Sequence, residues 1–524
     1  MTVCTPARQV RPLDGKTGEK FGLVDQDLIA STPRTAGEMK LNIRQRDELP
    51  RLSWCLSLVQ GSATAQINCG PWVETGEDWF LEGAWDGDFS EPDFEKHCGL
   101  MGSGCRVIGR ELILATPSHI LDPLYLVLHE GRLTASNSLA FVLVATGLRL
   151  DPAYPYYQLD FHSSRYGFDR CVKELPTKDG PGIRLFRYTN IRLDDRLHVT
   201  TTPKPMPPDW KGFHDYREFL VDTLRALNDN ANAPRRRIQY KLMSTMSSGY
   251  DSSAAAALAA SVGGACAVTV KNGGDFQTRE LTDDSGARVA EHLGLQITEL
   301  PIVDFEDISD TARAECSSSG GLVELNFITF DRLLPRKLVT TGHTGNFWMG
   351  DVPPSSTFAR MGPDGTGLAE SRLRQGFIHV PVPMLGAVRG RRIHAICRSQ
   401  EMKPWSVRRT YDRPVPRRIL EESGVPRGLF ARKKIGGIIV WSEYVPDAAV
   451  QFYFQHRSER STMSRVLLAI RWRTTDWYCR TLALLQRFGL LKRPPRTHWD
   501  IPQRGPASMI VQWGQHVVQQ RYRV

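Results

Sequence analysis

The stretch S-T-M-S-S-G-Y-D-S-S, residues 244–253, determines how this sequence is interpreted. It follows an apolar, strand-like run at 238–243 and precedes the Ala-rich run 254–260, which is typical of a buried helix. Gly249 lets the backbone approach an anion closely. Ser252 and Ser253 fall where the first turn of the helix has unpaired N–H groups, and these groups favour phosphate. The stretch therefore predicts a phosphate-binding loop between a strand and a helix.

Asp251 adds a second requirement to this loop. A carboxylate would repel a bare phosphate, so its presence predicts a bridging Mg²⁺, while Ser247, Ser248 and Ser252 can add hydroxyl donors. The residue types leave another interpretation open, in which the Asp and Ser side chains only cap a buried helix.

Strands and helices alternate on both sides of this loop. Strands are predicted at 238–246, 266–270, 296–300 and 337–341, with helices at 252–262 and 283–293. This alternation predicts a doubly wound parallel sheet, an α/β fold in which ligands bind at the carboxyl ends of the strands. The loops 247–252 and 342–346 both follow predicted strands, so we expect them to meet at that edge.

The rest of the chain divides into segments of different character. Residues 1–50 are polar and read as an extension, and 51–200 contain short β-like pieces that predict an α+β domain. Four prolines in 201–210 predict a linker. The α/β domain then covers 209–440, and 441–524 form a basic helical tail.

Bulk composition limits the class of protein. The chain has 524 residues, 41% hydrophobic and 24% charged, which fits two or three globular domains. Its ten cysteines show neither a C-x-x-C pair nor a zinc-like spacing. The first residues lack an apolar signal region, and no apolar run approaches the roughly 18–20 residues of a membrane span. These features favour a cytoplasmic protein.

Positive charge is concentrated at the end of the chain. Residues 461–524 hold eleven Lys or Arg and two Asp, which amounts to +9 of the formal net charge of +10. Arginines and apolar residues mix at helical spacing from Val466 to Leu490. We favour a docked helical lid with solvated charges, although weak contact with an anionic membrane surface or with nucleic acid fits the same pattern.

The serine loop resembles the S-G-G-x-D-S pyrophosphate loop of the ATP pyrophosphatase (PP-loop) superfamily. Its Asp-Ser-Ser ending before an Ala-rich helix is most similar to the asparagine synthetase branch, although Ser248 replaces a loop glycine. The resemblance implies that ATP and Mg²⁺ bind here, with Asp251 on the metal. It assigns the pyrophosphate contacts to Ser247, Ser248, Gly249 and Ser252.

Three later segments extend this resemblance over roughly 52–440. Val268 and Val270 end the second strand, where the family cradles adenine with backbone groups. The run T-G-H-T-G-N, 341–346, stands where the family has S-G-E-G-S-D-E. The run R-G-L-F-A-R-K-K-I, 427–435, is similar to the late segment whose Lys faces the phosphates, which implies that role for Lys433 or Lys434.

The second loop departs from the family pattern at the positions that carry the chemistry. The family has a carboxylate beside the intermediate and an Asp on Mg²⁺, whereas this chain has His343 and Asn346. An Asn carbonyl can ligate Mg²⁺ without adding charge. Gly342 precedes His343, which could act as a general base near neutral pH or be a neutral loop residue. Asp351 could supply the missing carboxylate, with Asp304 and Asp331 as further candidates.

The front domain resembles a degenerate glutaminase domain of the Ntn-hydrolase type. The family's nucleophile is a Cys directly after the initiator Met, whereas this chain begins M-T-V-C. Trp54–Val59 is similar to the family's first strand, but Cys55 is internal and has no free amine. The glutamine-binding stretch is missing between Val59 and Phe80. A shell without a nucleophile also occurs in β-lactam synthetases.

These features predict an AMP-forming amide or lactam synthetase that adenylates a small-molecule or peptide carboxylate for attack by an amine, without using glutamine. A non-catalytic ATP-binding or scaffold protein is the alternative, because of the replacements at 343 and 346. Nucleic acid is disfavoured as a partner, since nucleotide-thiolating relatives need paired reactive cysteines. The sequence is also compatible with a homodimer.

Overall fold

The structure, a computed structural model, describes residues 38–274, 281–320, 322–349, 366–407, 412–431, 445–459 and 505–523, together with Trp477 and Thr481. The strands are β1 (Lys40–Gln45), β2 (Trp54–Val59), β3 (Thr64–Cys69), β4 (Glu74–Thr75), β5 (Trp79–Ala84), β6 (Met101–Ile108), β7 (Glu111–Ala115), β8 (Leu124–His129), β9 (Arg132–Ser136), β10 (Glu174–Leu175), β11 (Ile183–Phe186), β12 (Thr189–Leu193), β13 (Val199–Pro203), β14 (Lys241–Met246), β15 (Cys266–Val270), β16 (Asn272–Gly274), β17 (Leu281–Asp283), β18 (Gln296–Leu300), β19 (Lys337–Thr341) and β20 (Ile378–Pro381).

The described α-helices are α1 (Leu139–Thr146), α2 (Tyr157–His162), α3 (Phe213–Ala231), α4 (Tyr250–Ala260), α5 (Ala287–His292), α6 (Asp310–Ser317), α7 (Ala369–Gln375), α8 (Gly390–Cys397), α9 (Pro414–Glu422), α10 (Asp447–His456) and α11 (Ile510–Val518). Short 3-10 helices lie between them, among them Leu322–Phe330, Gly345–Trp348 and Arg427–Leu429. Among the described helices, none is both long and apolar enough to cross a membrane.

Two sheets form the front unit. The seven-stranded sheet has the order β1-β3-β2-β9-β8-β11-β10, and the six-stranded sheet has the order β13-β12-β7-β6-β5-β4. Apart from the parallel pair of β1 with β3, their neighbouring strands are antiparallel. Buried side chains including Trp54, Leu56, Phe80 and Leu114 belong to one apolar cluster shared by both sheets. The predicted strand-rich α+β character of this region is thus observed.

Two predicted boundaries of the front unit are wrong. Residues 40–45 are part of the sheet as β1 and not of a polar extension, because Leu41 and Ile43 alternate with polar residues and pack on the core. The predicted linker at 201–210 begins with β13, which pairs with β12 through Val199–Pro203. The remainder of the predicted extension, 1–37, lies outside the described residues.

A five-stranded parallel sheet follows, with the order β18-β15-β14-β19-β20, and every neighbouring pair in it is parallel. This confirms the predicted parallel sheet. Its inner strands are rich in apolar and β-branched residues and are buried on both faces, as parallel strands require. One face packs on α4, whose alanines allow a close approach, and the other packs on Phe327, Phe330 and Phe377.

One predicted helix in this region begins later than expected. The prediction placed it at 283–293, whereas α5 covers only Ala287–His292. Residues Leu281–Asp283 instead form β17 and pair with β16 in a hairpin. Asp283 Oδ1 accepts a hydrogen bond from the Ser285 N–H, and this local turn competes with helix formation.

The described part of the tail is docked on the protein. Helices α10 and α11 share an apolar cluster with α1 and the outer face of the seven-stranded sheet, through Ala449, Ile510, Trp513 and Tyr522. The Tyr522 hydroxyl donates to the Glu370 carboxylate at 2.7 Å. These helices dock mainly on the front unit and on α6. The arginine-rich stretch at 466–490 lies outside the described residues apart from Trp477 and Thr481.

Candidate functional site

The two glycine-containing loops follow neighbouring strands of the parallel sheet. Strand β14 is the first strand of the sheet in the chain, and β15 and β19 flank it on opposite sides. The strand order therefore reverses between β14 and β19, and open α/β sheets bind ligands at the carboxyl ends of the strands at such a point. The serine loop and the loop after β19 both lie there, as the sequence predicted.

Hydrogen bonds inside the serine loop fix its shape. The Ser247 and Ser252 hydroxyls are 2.8 Å apart, and the Gly249 N–H donates to Ser247 Oγ at 3.1 Å. The Ser248 hydroxyl donates to the Asp284 carboxylate at 2.8 Å, which explains a serine where the resemblance led us to expect glycine. No side chain caps the N-terminus of α4 within this loop. The N–H groups of its first turn thus face a half-exposed surface of the loop.

The loop after β19 packs directly on the serine loop. A Cβ atom at Gly342 would lie 2.3 Å from the Ser252 nitrogen, and one at Gly345 would lie 2.0 Å from Asp251 Cγ. Real side chains do not tolerate such distances, so both positions need glycine for this contact. The two predicted loops therefore form one site.

Asp251 lies at the centre of this site and is largely buried. Its Oδ2 atom pairs with Arg413 at the start of α9. Among the described residues, none donates a hydrogen bond to the buried Oδ1 atom. Arg417, one turn further along α9, donates to the Tyr250 hydroxyl and lies over its ring. Two buried guanidinium groups thus adjoin the first turn of α4.

The site fits a divalent cation only in part. Asp251 Oδ1 is a buried oxygen without a donor among the described residues, and Mg²⁺ usually binds through one or two carboxylates plus substrate phosphates. Asn346 follows Gly345, whose backbone packs against Asp251, in the same loop. In the described part of the chain, no group of three or more His, Cys, Asp or Glu could hold a metal ion. Asp351 lies outside the described residues.

Val268 and Val270 lie on β15, beside the serine loop. Their side chains are buried in the apolar cluster on the face of the sheet opposite α4. Their side chains are therefore committed to the core, so the adenine contact that the resemblance implies would have to come from their backbone groups. Thr269 between them points the other way and accepts a hydrogen bond from the Gly286 N–H at 3.1 Å.

His343 belongs to a buried chain of polar side chains. Its Nε2 lies 3.0 Å from the buried Glu324 carboxylate, and its Nδ1 lies 3.1 Å from Thr341 Oγ1 and 3.2 Å from His379 Nε2. The ring also stacks on Phe327. Both ring nitrogens thus have partners inside the protein, so a role as base requires that one of these contacts be exchanged.

Neutral imidazoles continue this chain towards the front unit. Burial, reinforced by His343, His119 and Arg372, holds the pKa of His379 well below its usual value. Burial and the nearby cations Arg372 and Lys204 lower the pKa of His119 to about 3. Since these two rings stay neutral, His379 and His119 cannot supply a positive charge near His343 at neutral pH.

The first residues of the late basic segment, 427–431, contact the serine loop. The Ala431 N–H donates to the Ser248 carbonyl at 2.7 Å, which anchors the end of the 427–431 run on the loop. Lys433 and Lys434 follow directly in the sequence and lie outside the described residues. Asp331, a weaker candidate in the sequence, pairs with Arg374 at 3.0 Å.

At the start of β2, in the front unit, the backbone groups are hydrogen-bonded within the protein and the thiol of Cys55 is buried. The Trp54 N–H donates to Asn137 Oδ1 at 3.0 Å, and the Asn137 amide donates to the Leu52 carbonyl at 2.9 Å. The Leu52 N–H donates to the Leu373 carbonyl at 3.0 Å. Cys55 is buried, and burial raises the pKa of its thiol to about 12. The thiol is therefore protonated at neutral pH and is a poor nucleophile.

A buried ion pair closes this region against the parallel-sheet unit. Arg372 of α7 donates to both carboxylate oxygens of Glu82 in β5, at 2.6 and 3.1 Å. Its Nε also lies 3.5 Å from the Asp122 carboxylate. Burial alone would lower the pKa of Arg372, but Glu82 and Asp122 raise it.

Sequence reasoning missed several side chains of the site. Arg413 and Arg417 lie in the run R-P-V-P-R-R, whose charge density could have suggested an anion site. Glu324, Asp284 and His379 gave no local signal, because their spacing to the loops exists only in the fold. In comparisons with known proteins, no family profile matches the chain, and no curated sequence matches it significantly.

Proposed function

We propose that the chain is an ATP-dependent, AMP-forming amide or lactam synthetase of the asparagine synthetase-like PP-loop type, with a front domain like a degenerate glutaminase. One observation carries the proposal. Two glycine loops meet at the switch point of a parallel sheet, and the Asp251 carboxylate lies between them with one buried oxygen that no described donor contacts.

The residues of the serine loop would hold the phosphates. The open first turn of α4 supplies N–H groups, and Ser247 and Ser252 supply hydroxyls. The Ser248 hydroxyl is committed to Asp284, so Ser248 would contribute through its backbone. Arg413 and Arg417 supply positive charge beside the loop, with Lys433 or Lys434 as further candidates on the leaving pyrophosphate.

ATP would supply the group that activates the carboxylate, and Mg²⁺ would neutralise charge on the phosphates. ATP would donate AMP to the substrate carboxylate, and Mg²⁺ would be held by Asp251 together with Asn346 or Asp351. Gly342 and Gly345 keep the second loop close to Asp251, and the backbone groups of Val268 and Val270 would hold adenine.

His343 would accept the proton that the attacking amine loses as the amide bond forms. Glu324 would stabilise the resulting imidazolium, since a buried carboxylate 3.0 Å away favours the charged ring. To reach the amine, His343 would exchange its Nδ1 contact with Thr341 or His379. The amine would come from a separate acceptor or from the same molecule. Cys55 offers no route to ammonia from glutamine.

A second function is supported by contacts of Asp251 and His343 in the same site. Arg413 occupies one oxygen of Asp251, and both nitrogens of His343 are bonded within the protein. These contacts favour a protein that binds ATP without turning it over, as a non-catalytic nucleotide-binding or scaffold protein.

Pyrophosphate release separates the two functions. ATP binding is measured first by calorimetry with Mg²⁺, and pyrophosphate is then followed with a library of carboxylates, each with and without amines. A synthetase releases pyrophosphate with at least one carboxylate and forms an amide only when an amine is present. Clear ATP binding without release for any carboxylate favours the binding protein, and absence of ATP binding rejects both.

A further inference from the structure

A cavity lies between α10, α11 and the segment after α1, and no residue of the two glycine loops lines it. Its volume is about 260 Å³, and its lining includes Arg149, Phe452, His456, Gln515, His516 and Arg523. Typical small-molecule sites measure roughly 300–1,000 Å³, so this cavity suits a compact metabolite. Nothing in the proposed synthetase chemistry uses it.

One side chain in the lining has an oxygen atom without a hydrogen-bond donor in the described part of the chain. Gln515 is almost fully buried, and its amide donates to the Ser318 carbonyl at 2.8 Å. That bond fixes the orientation of the side chain. Its carbonyl Oε1 has no donor among the described residues. A buried carbonyl without a donor is costly, so this atom favours a ligand that carries an N–H or O–H group.

The charges around the cavity favour an anion. Arg149 and Arg523 are cationic, and Glu459, the carboxylate in the lining, already pairs with Lys178. Phe452 stacks on His456 and lies against His516, so both imidazoles are held at the wall. The net field at the cavity is therefore positive, and a carboxylate would find partners there.

We propose that this cavity binds a small carboxylate that also carries a hydrogen-bond donor, such as an α-hydroxy or α-amino acid. The carboxylate pairs with Arg149 and Arg523, and the donor bonds to Gln515 Oε1. The site stands independently of the proposed synthetase function, because no residue of the two glycine loops lines it.

A matched pair of probes tests the donor requirement. L-lactate and propionate have the same carbon skeleton, but only L-lactate has a hydroxyl group. Titration by saturation-transfer NMR on the full chain gives the two dissociation constants, and L-alanine replaces L-lactate to test an ammonium donor on the same skeleton. We expect L-lactate or L-alanine to bind about tenfold or more tightly than propionate, as for a hydrogen bond to a buried carbonyl.

Matched variants test the location. Arg523→Gln or Arg149→Gln should weaken binding of the hydroxy or amino acid about tenfold. Arg457→Gln removes a charge from the same surface without touching the lining, and Asp251→Asn alters the synthetase site, so both should leave the affinity unchanged. Gln515→Leu should remove the preference over propionate, and its melting temperature shows whether it folds.

Three results overturn the proposal. These are equal binding of all three acids, no binding of any of them at millimolar concentration, or full affinity in both arginine variants. Because ATP binding is measured separately, failure here leaves the proposed synthetase function unaffected, and failure of ATP binding leaves this site unaffected.

Discussion

The start of β2 and the start of α4 differ in how the structure treats their polar groups. At β2, the backbone of Leu52 and Trp54 is bonded to Leu373 and Asn137, and an ion pair with Arg372 closes the surroundings. At α4, no described side chain caps the helix, and Asp251 keeps an oxygen without a described donor. A structural region satisfies its own polar groups, whereas a binding site leaves them for a ligand.

The largest expected effect is on the free energy of unfolding and concerns the buried ion pair near β2. Arg372→Met leaves the Glu82 carboxylate buried without its cation, so we expect the free energy of unfolding to fall by about 3–5 kcal/mol. Urea denaturation measures it. Arg398→Met, an exposed arginine, is the control, and adding Glu82→Leu to Arg372→Met should recover much of the loss. A loss no greater than that of the control would show that the pair does not hold the two units together.

The second prediction concerns Asp251, at the start of α4. Asp251→Asn keeps the shape and the contact with Arg413 but removes the charge, so pyrophosphate release should fall about 10²–10³-fold while the fold is retained. The exposed Asp229→Asn is the matched control. Unchanged pyrophosphate release in Asp251→Asn would show that the start of α4 is not a phosphate site, even though its polar groups are less fully bonded than those at the start of β2.

Glu324→Gln separates the two halves of the proposed reaction, which are adenylation of the carboxylate and attack by the amine. Glu324 contacts His343, the proposed base, so carboxylate-dependent exchange of pyrophosphate into ATP should persist while amide formation falls about 10–10²-fold. Glu324→Asp should restore part of the rate, and the exposed Glu306→Gln serves as the control. Equal loss of both activities would instead point to a general disturbance of the fold.

The smallest effect concerns Cys55. Cys55→Ala should leave amide formation unchanged, and neither form should release ammonia from glutamine. Because burial raises the pKa of the thiol to about 12, the thiolate becomes populated only as the pH approaches that value. Iodoacetamide at pH 8 should therefore label Cys55 only after unfolding in urea, as peptide mass spectrometry can show. Labelling of the native protein would place a reactive thiol at β2.

The parallel sheet and its two loops could be predicted because each depends on a few adjacent residues. Gly249, Asp251 and the Ala-rich helix are local, and so are the β-branched runs that form β15 and β19. The ion pair of Asp251 with Arg413 joins residues that are far apart in the chain, and so does the contact between Glu324 and His343. Spacing in a single sequence carries no information about such pairs.

Two boundary errors have different origins. The hydrogen bond from Ser285 to Asp283 shortened a helix that the apolar pattern predicted, and pairing with β12 placed the first residues of a predicted proline-rich linker in β13. In the first case a local polar bond outweighed periodicity, and in the second a neighbouring strand outweighed composition.

The bond between Arg372 and Glu82 also has a consequence for how this protein can change over evolutionary time. A mutation on either side alone leaves a buried charge, so selection acts against each intermediate. A free backbone amine at Cys55 would also require cutting the chain before it and breaking the hydrogen bonds of Trp54 and Leu52 to Asn137 and Leu373. The ion pair thus behaves as a ratchet, because once both charges are buried neither residue can be replaced alone without a loss of stability.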